Sequence, residues 1–289
     1  MNQKDIFADL HLHSTASDGI LTPSELVKTC YRSGLKAIAL TDHDTVKGVD
    51  EASETAEKLG MTFVTGIELS CGMPDQDYSL HVIGLFLDRN TNSLVELLKK
   101  HEEARRMRAF KILDLLESLK VNVAPLRADF ESQQGVILAR PHIARYLLAN
   151  GFVKDYQEAF DKYLKKGCPA YVPKLHLAPG NGINAIHEAK GLAFIAHPGL
   201  DQNWDTTYSN IKDLPWDGIE VYYGDHDPNQ TEKFRKLAEN RRWLVSGGSD
   251  YHGESGKHVG RLGQTGLTRT CFKYLSVAAK KAAEAKACL

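Results

Sequence analysis

Short apolar runs alternate with helical patterns through the first part of the chain: residues 6–12 then 23–32, residues 35–40 then 46–59, and a third run at 61–69. Runs of this length bounded by turn residues suit buried strands, and their alternation with amphipathic stretches predicts β-α units around a parallel sheet or barrel. The helix boundaries are marked locally: Thr22 as N-cap, Pro23 at the first helical position and Glu25 completing a capping box, with Gly34 and Gly60 ending their helices. A fourth run, 80–87, breaks the rhythm, because residues 71–79 are too few for a crossover helix. The spacing predicts an antiparallel hairpin that sets Glu68, at the end of one strand, beside His81, at the start of its partner.

Strand signal then stops. Helical patterns fill 93–120, 141–150 and 156–166, and strand-like runs resume at 192–196, 218–222 and 243–246. The order predicts an α/β chain, a distorted TIM-like (β/α)7 barrel made by residues 1–91 and 172–289, with residues 92–171 inserted as a helical domain lidding the carboxyl-end pocket. The tail 275–289, rich in Ala and Lys, reads as a solvated terminal helix with no chemical role.

Composition narrows the setting. With 289 residues, 42% hydrophobic and 25% charged, the chain can bury a full core. A formal net charge of −1 gives no global field for gripping a long nucleic-acid backbone, so a polyanionic partner is expected to be short and held locally. Five widely spaced cysteines without a C-x-x-C argue against a disulfide framework or zinc ribbon and for a reducing compartment. No apolar run approaches a membrane span, and residues 1–9 lack the basic-then-apolar form of a signal peptide. The expectation is a cytoplasmic protein with no membrane association and no obligate protein partner.

The candidate chemistry lies at strand ends. In barrels of this type, functional groups gather at the carboxyl ends of the strands, where loops converge. His11, His13, His43, Glu68, His197, Asp250 and His252 all follow apolar runs. An alternating H-x-H points His11 and His13 to the same face of an extended chain. Neutral imidazoles with ionised carboxylates suit a di- or trinuclear site for divalent ions, since carboxylates offset the ions' charge and can bridge two of them. The chain reads as a metal-dependent hydrolase.

Taken together, Asp9-Leu10-His11-Leu12-His13, Ser17-Asp18-Gly19, Thr41-Asp42-His43-Asp44, Gly66-Ile67-Glu68, His81, Ala196-His197-Pro198 and Gly247-Gly248-Ser249-Asp250-Tyr251-His252 resemble the signature set of the PHP (polymerase and histidinol phosphatase) superfamily. The helical insertion with Ala139-Arg140-Pro141-His142 is similar to its nucleotide phosphoesterase branch, which includes 3′,5′-nucleotide bisphosphatases and 5′-3′ exoribonucleases. The resemblance implies up to three divalent ions, manganese first, with iron or zinc as alternatives. His11, His13, Glu68 and Asp250 would hold one; Glu68, His81 and His197 a second; Asp18, His43 and His252 a third, so that Glu68 bridges two. It further implies that a hydroxide shared by two ions attacks phosphorus while Arg140 and the third ion neutralise the other oxygens.

Other charged residues are less determined. Arg140 and His142 flank Pro141 at an expected helix start, where free N–H groups, the dipole and a guanidinium can converge on phosphate. The expected catalytic set is thus Glu68, Arg140 and His142. Arg105 and Arg108 share a helix face and are candidate substrate contacts beside a plain reading as a solvated, ion-paired face; His226 follows a strand and is a substrate contact or a surface loop residue. Asp42 and Asp44 either orient imidazoles or cap loops. His101, His176, His187 and His258 read as exposed. The substrate expected is a small nucleotide, best a 3′,5′-bisphosphate converted to the 5′-monophosphate, with a short 5′-phosphorylated oligonucleotide or histidinol phosphate as rivals. A non-catalytic metal-binding module is the rival of another class.

Overall fold

The computed structural model describes residues 6–72, 80–132, 140–173, 177–253 and 261–287. In chain order the elements are β1 (Ala8–Asp9), α1 (Pro23–Arg32), β2 (Ala37–Leu40), α2 (Val49–Lys58), β3 (Thr62–Cys71), β4 (Leu80–Leu85), α3 (Asn92–Ser118), α4 (Ala124–Ser132), α5 (Arg140–Ala149), α6 (Tyr156–Ala159), α7 (Pro179–Glu188), β5 (Leu192–Ile195), α8 (Trp204–Ile211), β6 (Gly218–Tyr223), α9 (Pro228–Arg241), β7 (Leu244–Gly248) and α10 (Arg269–Ala287). The chain divides into two compact units, residues 1–96 with 176–289, and residues 97–175.

The first unit is a seven-stranded barrel in which sheet order follows sequence order. All neighbouring strands are parallel except β4, which runs antiparallel to both β3 and β5. Backbone bonds from Leu10 N–H to the Gly247 carbonyl (3.1 Å), Asp250 N–H to His11 (2.9 Å) and His13 N–H to Tyr251 (3.1 Å) join the first and last edges. The α/β barrel of the sequence reading is the observed fold. β2 and β5 are buried at every position, as strands covered on both faces must be. α1 starts on the expected capping box, Thr22 with Glu25, and buries Leu26, Val27 and Cys30 along one stripe.

The β3–β4 hairpin forms, but its register places Ser70, not Glu68, opposite His81. Glu68 lies two residues along and so on the same face, a diagonal neighbour whose Oε1 is 2.9 Å from His81 Nδ1. The terminal helix departs from expectation. α10 buries Phe272, Leu275 and Ala279 in one cluster with Ala8, Leu10 and Phe194, because these positions recur at helical spacing and form an apolar stripe within the Ala- and Lys-rich composition.

The second unit has its own core, with Leu113, Leu116, Phe130, Ile143, Leu147 and Leu164 among its buried side chains. It contains a helix the pattern passed over, α4, and His101, expected on the surface, is only 9% exposed. The four described cysteines are free thiols. Among the described residues no helix is long and apolar enough to cross a membrane.

Candidate metal centre

Every candidate metal ligand lies in the barrel unit. β1 continues into His11 and His13, β2 into His43 and β5 into His197; β3 carries Glu68 and β4 His81, and Asp250 and His252 follow β7. Asp18 comes from the loop after the first strand, with its side chain 55% exposed. His11, His13 and Glu68 are fully buried.

Glu68 is the hub. Its Oε2 is 3.3 Å from His11 Nε2, 3.2 Å from His13 Nε2 and 3.0 Å from His43 Nδ1. Its Oε1 is 2.9 Å from His81 Nδ1 and 3.0 Å from His197 Nε2. Asp250 Oδ1 lies 3.0 Å from His13 Nε2 and 3.4 Å from His11 Nε2. On the outer side, Asp18 Oδ1 is 3.3 Å from His252 Nε2 and Asp18 Oδ2 is 3.8 Å from His43 Nε2. Three sets of donor atoms, each within 4.8 Å of one another, could each hold an ion: His11, His13, Glu68 and Asp250; His43, Glu68 and His81; and His13, Asp18, His43 and His252. The first grouping is the expected one; the second has His43 where His197 was expected, with His197 meeting Glu68 outside the three sets, and the third adds His13. His43 and His13 each face two sets, since each imidazole presents nitrogens on opposite edges of its ring.

The donor atoms fit divalent cations. His11 Nε2, both ring nitrogens of His13, His43 Nδ1 and Glu68 Oε2 are buried without a hydrogen-bond partner, and each such atom costs about 1–3 kcal/mol unless something meets it. Imidazole nitrogens and carboxylate oxygens without a thiolate are a set that manganese, iron or zinc can use. Electrostatics point the same way. Burial alone would raise the Glu68 pKa, but the imidazoles of His43, His81 and His11 hold it well below the ordinary carboxylate range. Burial likewise disfavours a charged His13, yet the carboxylates of Asp250 and Glu68, 3.0 and 3.2 Å from its Nε2, raise it to about 10. Burial, with His43 and His197 adding to it, outweighs Glu68 at His81 and lowers it to about 4.

The loops around the cluster are braced by carboxylates. Asp42 accepts the Ser14 N–H (2.8 Å) and the hydroxyls of Ser14 (2.7 Å) and Ser17 (2.5 Å), and Asp44, at φ 51°, accepts the Ser70 N–H at 2.8 Å. Of the two readings for these residues, holding the loops is the one their bonds support. His226 is also a fold residue: its Nδ1 donates to the Val221 carbonyl (2.9 Å) and its Nε2 accepts the Gly199 N–H (3.0 Å), so both ring nitrogens are taken and the packing does not favour substrate contact. His187, expected free on the surface, sits 2.6 Å from Asp217. His176 and His258 lie outside the described residues.

Close approach of β7 to β1 requires Gly248. A Cβ there would lie 2.4 Å from His11 Cβ and 2.5 Å from its backbone nitrogen. Gly248→Ala is expected to displace His11, lowering both metal content and thermal stability, the latter by about 1–3 kcal/mol of overpacking strain. Melting curves and elemental analysis check this; a variant that melts and loads like the parent would show that the two strands part freely.

In the helical unit, Arg140 opens α5 with Pro141 second, and its Nη1 donates to the Leu164 carbonyl at 3.2 Å. Arg108 Nε donates to the Val172 carbonyl at 2.8 Å. Burial first, then the charges of Arg140 and Arg105, lower Arg108 to about 10 against the pull of Tyr171. Arg108 thus lies within electrostatic reach of both Arg105 and Arg140. His142 is exposed at the surface, and partial desolvation with the nearby Arg145 lowers its pKa.

Comparison with known proteins gives this geometry a family. The PHP domain pattern matches residues 9–167. A 5′-3′ exoribonuclease of Haemophilus influenzae is 34% identical over 84% of this chain and 89% of its own length. A 3′,5′-nucleoside bisphosphate phosphatase of Chromobacterium violaceum is 34% identical over 87% and 90%. A crystal structure described as a metal-dependent phosphoesterase from Bifidobacterium adolescentis superposes with a TM-score of 0.77 at 27% identity, covering 94% of this chain and 96% of that one. With the domain pattern spanning over half of the sequence and relatives a third identical along most of their length, the chain belongs to the PHP family.

Proposed function

We propose that the protein is a metal-dependent phosphoesterase whose substrate is a nucleoside 3′,5′-bisphosphate, hydrolysed to the 5′-monophosphate and phosphate. One observation carries the reading: imidazoles and carboxylates from β3 and β4 and from the segments after β1, β2, β5 and β7 gather around Glu68 with buried donor atoms left unmet. Divalent ions bound there supply a coordinated water of lowered pKa and positive charge for the phosphoryl oxygens. His11, His13, Glu68 and Asp250 would hold one, Glu68, His81 and His197 another, and Asp18, His43 and His252 a third, with manganese the proposed metal. Glu68, buried and anionic, offsets two of these charges at once; Asp18, the most exposed member, leaves the outer group open to ligand. The reading needs no serine or cysteine nucleophile, and Ser249 is buried behind Asp250 with its N–H bound to Asp9 at 3.0 Å.

The second phosphate is assigned to the cations of the helical unit. Arg108, whose charge is disfavoured by both Arg140 and Arg105, suits with them a dianionic group that pairs with guanidinium forks, and His142 is assigned to the same contact. The bisphosphate phosphatase among the relatives supports this choice. The exoribonuclease supports a second reading, release of mononucleotides from short 5′-phosphorylated oligonucleotides. Free cysteines suit a reducing, cytoplasmic setting.

A phosphate-release screen over mono- and bisphosphorylated nucleotides and short oligomers, with each metal in turn, tests the proposal. Bisphosphate with manganese is expected to turn over fastest, with oxygen from solvent entering the released phosphate. Faster turnover of oligomers would favour the second reading. Silence on every ester with every metal would leave a metal-binding module in place of an enzyme.

A further inference from the structure

β6 contributes none of the candidate ligands, yet two of its side chains are buried against them. Glu220 is fully buried, with Oε1 and Oε2 3.1 and 3.3 Å from His11 Nδ1. Its Oε2 also accepts the His197 N–H at 2.8 Å. Tyr223, 3% exposed, donates its hydroxyl to Asp250 Oδ2 at 2.9 Å. We infer that β6 is the orienting strand of the metal centre: Glu220 fixes the ring of His11 and the backbone of His197, and Tyr223 fixes the carboxylate of Asp250. The inference rests on the metal site proposed above and adds to it the residues that aim the ligands.

The chemistry at Glu220 is directional. A carboxylate can only accept, so His11 must carry its proton on Nδ1. That leaves Nε2 facing Glu68 and Asp250, 3.3 and 3.4 Å away, with no hydrogen-bond partner. With Nδ1 held by a carboxylate, Nε2 is the nitrogen that would give its lone pair to a cation. The same carboxylate holds His197 at φ 26° and ψ 55°, a left-handed conformation that a histidine adopts only when its surroundings impose it. A ligand following β1 and a ligand following β5 are therefore aimed by one group. Tyr223 acts likewise on Asp250, itself at φ 54°: with Oδ2 occupied by the phenol, Oδ1 is the oxygen turned to His13 and His11.

A regular strand could not present both residues. Positions three apart face opposite sides of a pleated sheet. The register between β6 and β7 slips here, from Glu220 opposite Ser246 to Tyr222 opposite Gly247. The extra residue, Val221, reverses the alternation, so Glu220 and Tyr223 both reach the ligand cluster, which is the re-aiming that bulges supply beside functional sites. His226 locks the bulge, taking the Val221 carbonyl on one nitrogen and the Gly199 N–H, two residues past His197, on the other. This gives the histidine that follows β6 a role in the fold of the site.

Glu220→Gln keeps size and shape but offers one oxygen for two N–H donors, and its NH2 can meet His11 only by forcing that proton onto Nε2. Calorimetric titration with manganese is expected to show roughly 10- to 100-fold weaker binding, and Tyr223→Phe a smaller loss. Nitrogen NMR of the metal-free parent should find His11 protonated on Nδ1. This last measurement needs no variant, so it decides even if Glu220→Gln misfolds; an unprotonated Nδ1 overturns the assignment. Parent-like manganese affinity in a folded Glu220→Gln variant overturns it as well, since mere packing would survive the exchange. Should the parent itself bind no divalent ion, the metal site fails, while the NMR measurement still tests Glu220 separately.

Discussion

Glu68→Gln is expected to empty two metal positions together and to reduce phosphate release by roughly 10²- to 10³-fold or more. Both oxygens of this carboxylate are engaged, Oε2 toward His11, His13 and His43 and Oε1 toward His81 and His197, so no single set of donors can lose it alone. The amide keeps the volume and removes the charge, leaving cations to be held among imidazoles with only Asp250 and Asp18 to offset them. Elemental analysis of purified protein, with circular dichroism as a check on folding, measures the effect. Undiminished metal content in a folded variant would sink the bridging role.

Arg140→Ala is expected to lower kcat/KM on a bisphosphate by on the order of 10- to 150-fold, the equivalent of a charge-assisted contact worth about 1.5–3 kcal/mol. Metal content should be unchanged, because every candidate ligand belongs to the barrel unit and Arg140 to the other. A generic monoester such as p-nitrophenyl phosphate has nothing for an anchoring guanidinium to hold and should be affected much less. Equal loss on both substrates would assign Arg140 to the reacting phosphate or to the fold. Part of any loss can come from the Leu164 carbonyl that the guanidinium satisfies, and the monoester control separates that contribution.

The ligands were legible because metal chemistry in a barrel obeys position: an imidazole or carboxylate that closes an apolar run stands at the carboxyl end of a strand. His11, His13, His43, Glu68, His197, Asp250 and His252 carry that signature, and the structure brings them together, His197 through its contact with Glu68. Glu220 and Tyr223 carried the opposite signature. Glu220 sits inside the run 218–222 and Tyr223 directly after it, both look like strand positions, and only a local slip in pairing with β7 turns them both to the ligands. A clue was present in the glutamate itself, a charge within an otherwise apolar strand that must find partners. The hairpin was readable from loop length, but its register was not, since the sequence between its strands does not fix which residues face each other. For α10, average composition concealed a stripe that periodicity contains.

The seam between β4 and β5 has a consequence for how the barrel forms. Val82 pairs with Ile195 and Leu85 with Leu192, while all other neighbouring strands in the first half are joined by short connections. The entropy of closing a loop grows only logarithmically, about 0.6 kcal/mol per doubling of length, so the equilibrium tolerates a long insert at this seam. The kinetics do not share that indifference, because pairings between distant segments slow folding. During synthesis β1 to β4 emerge well before β5, and the edge of β4, with Val82, Ile83 and Leu85, waits unpaired for its partner. An apolar strand edge held open is the kind of surface on which chains aggregate. The seam that accommodates the helical unit in this chain is thus also a place where a nascent chain is exposed to misassembly.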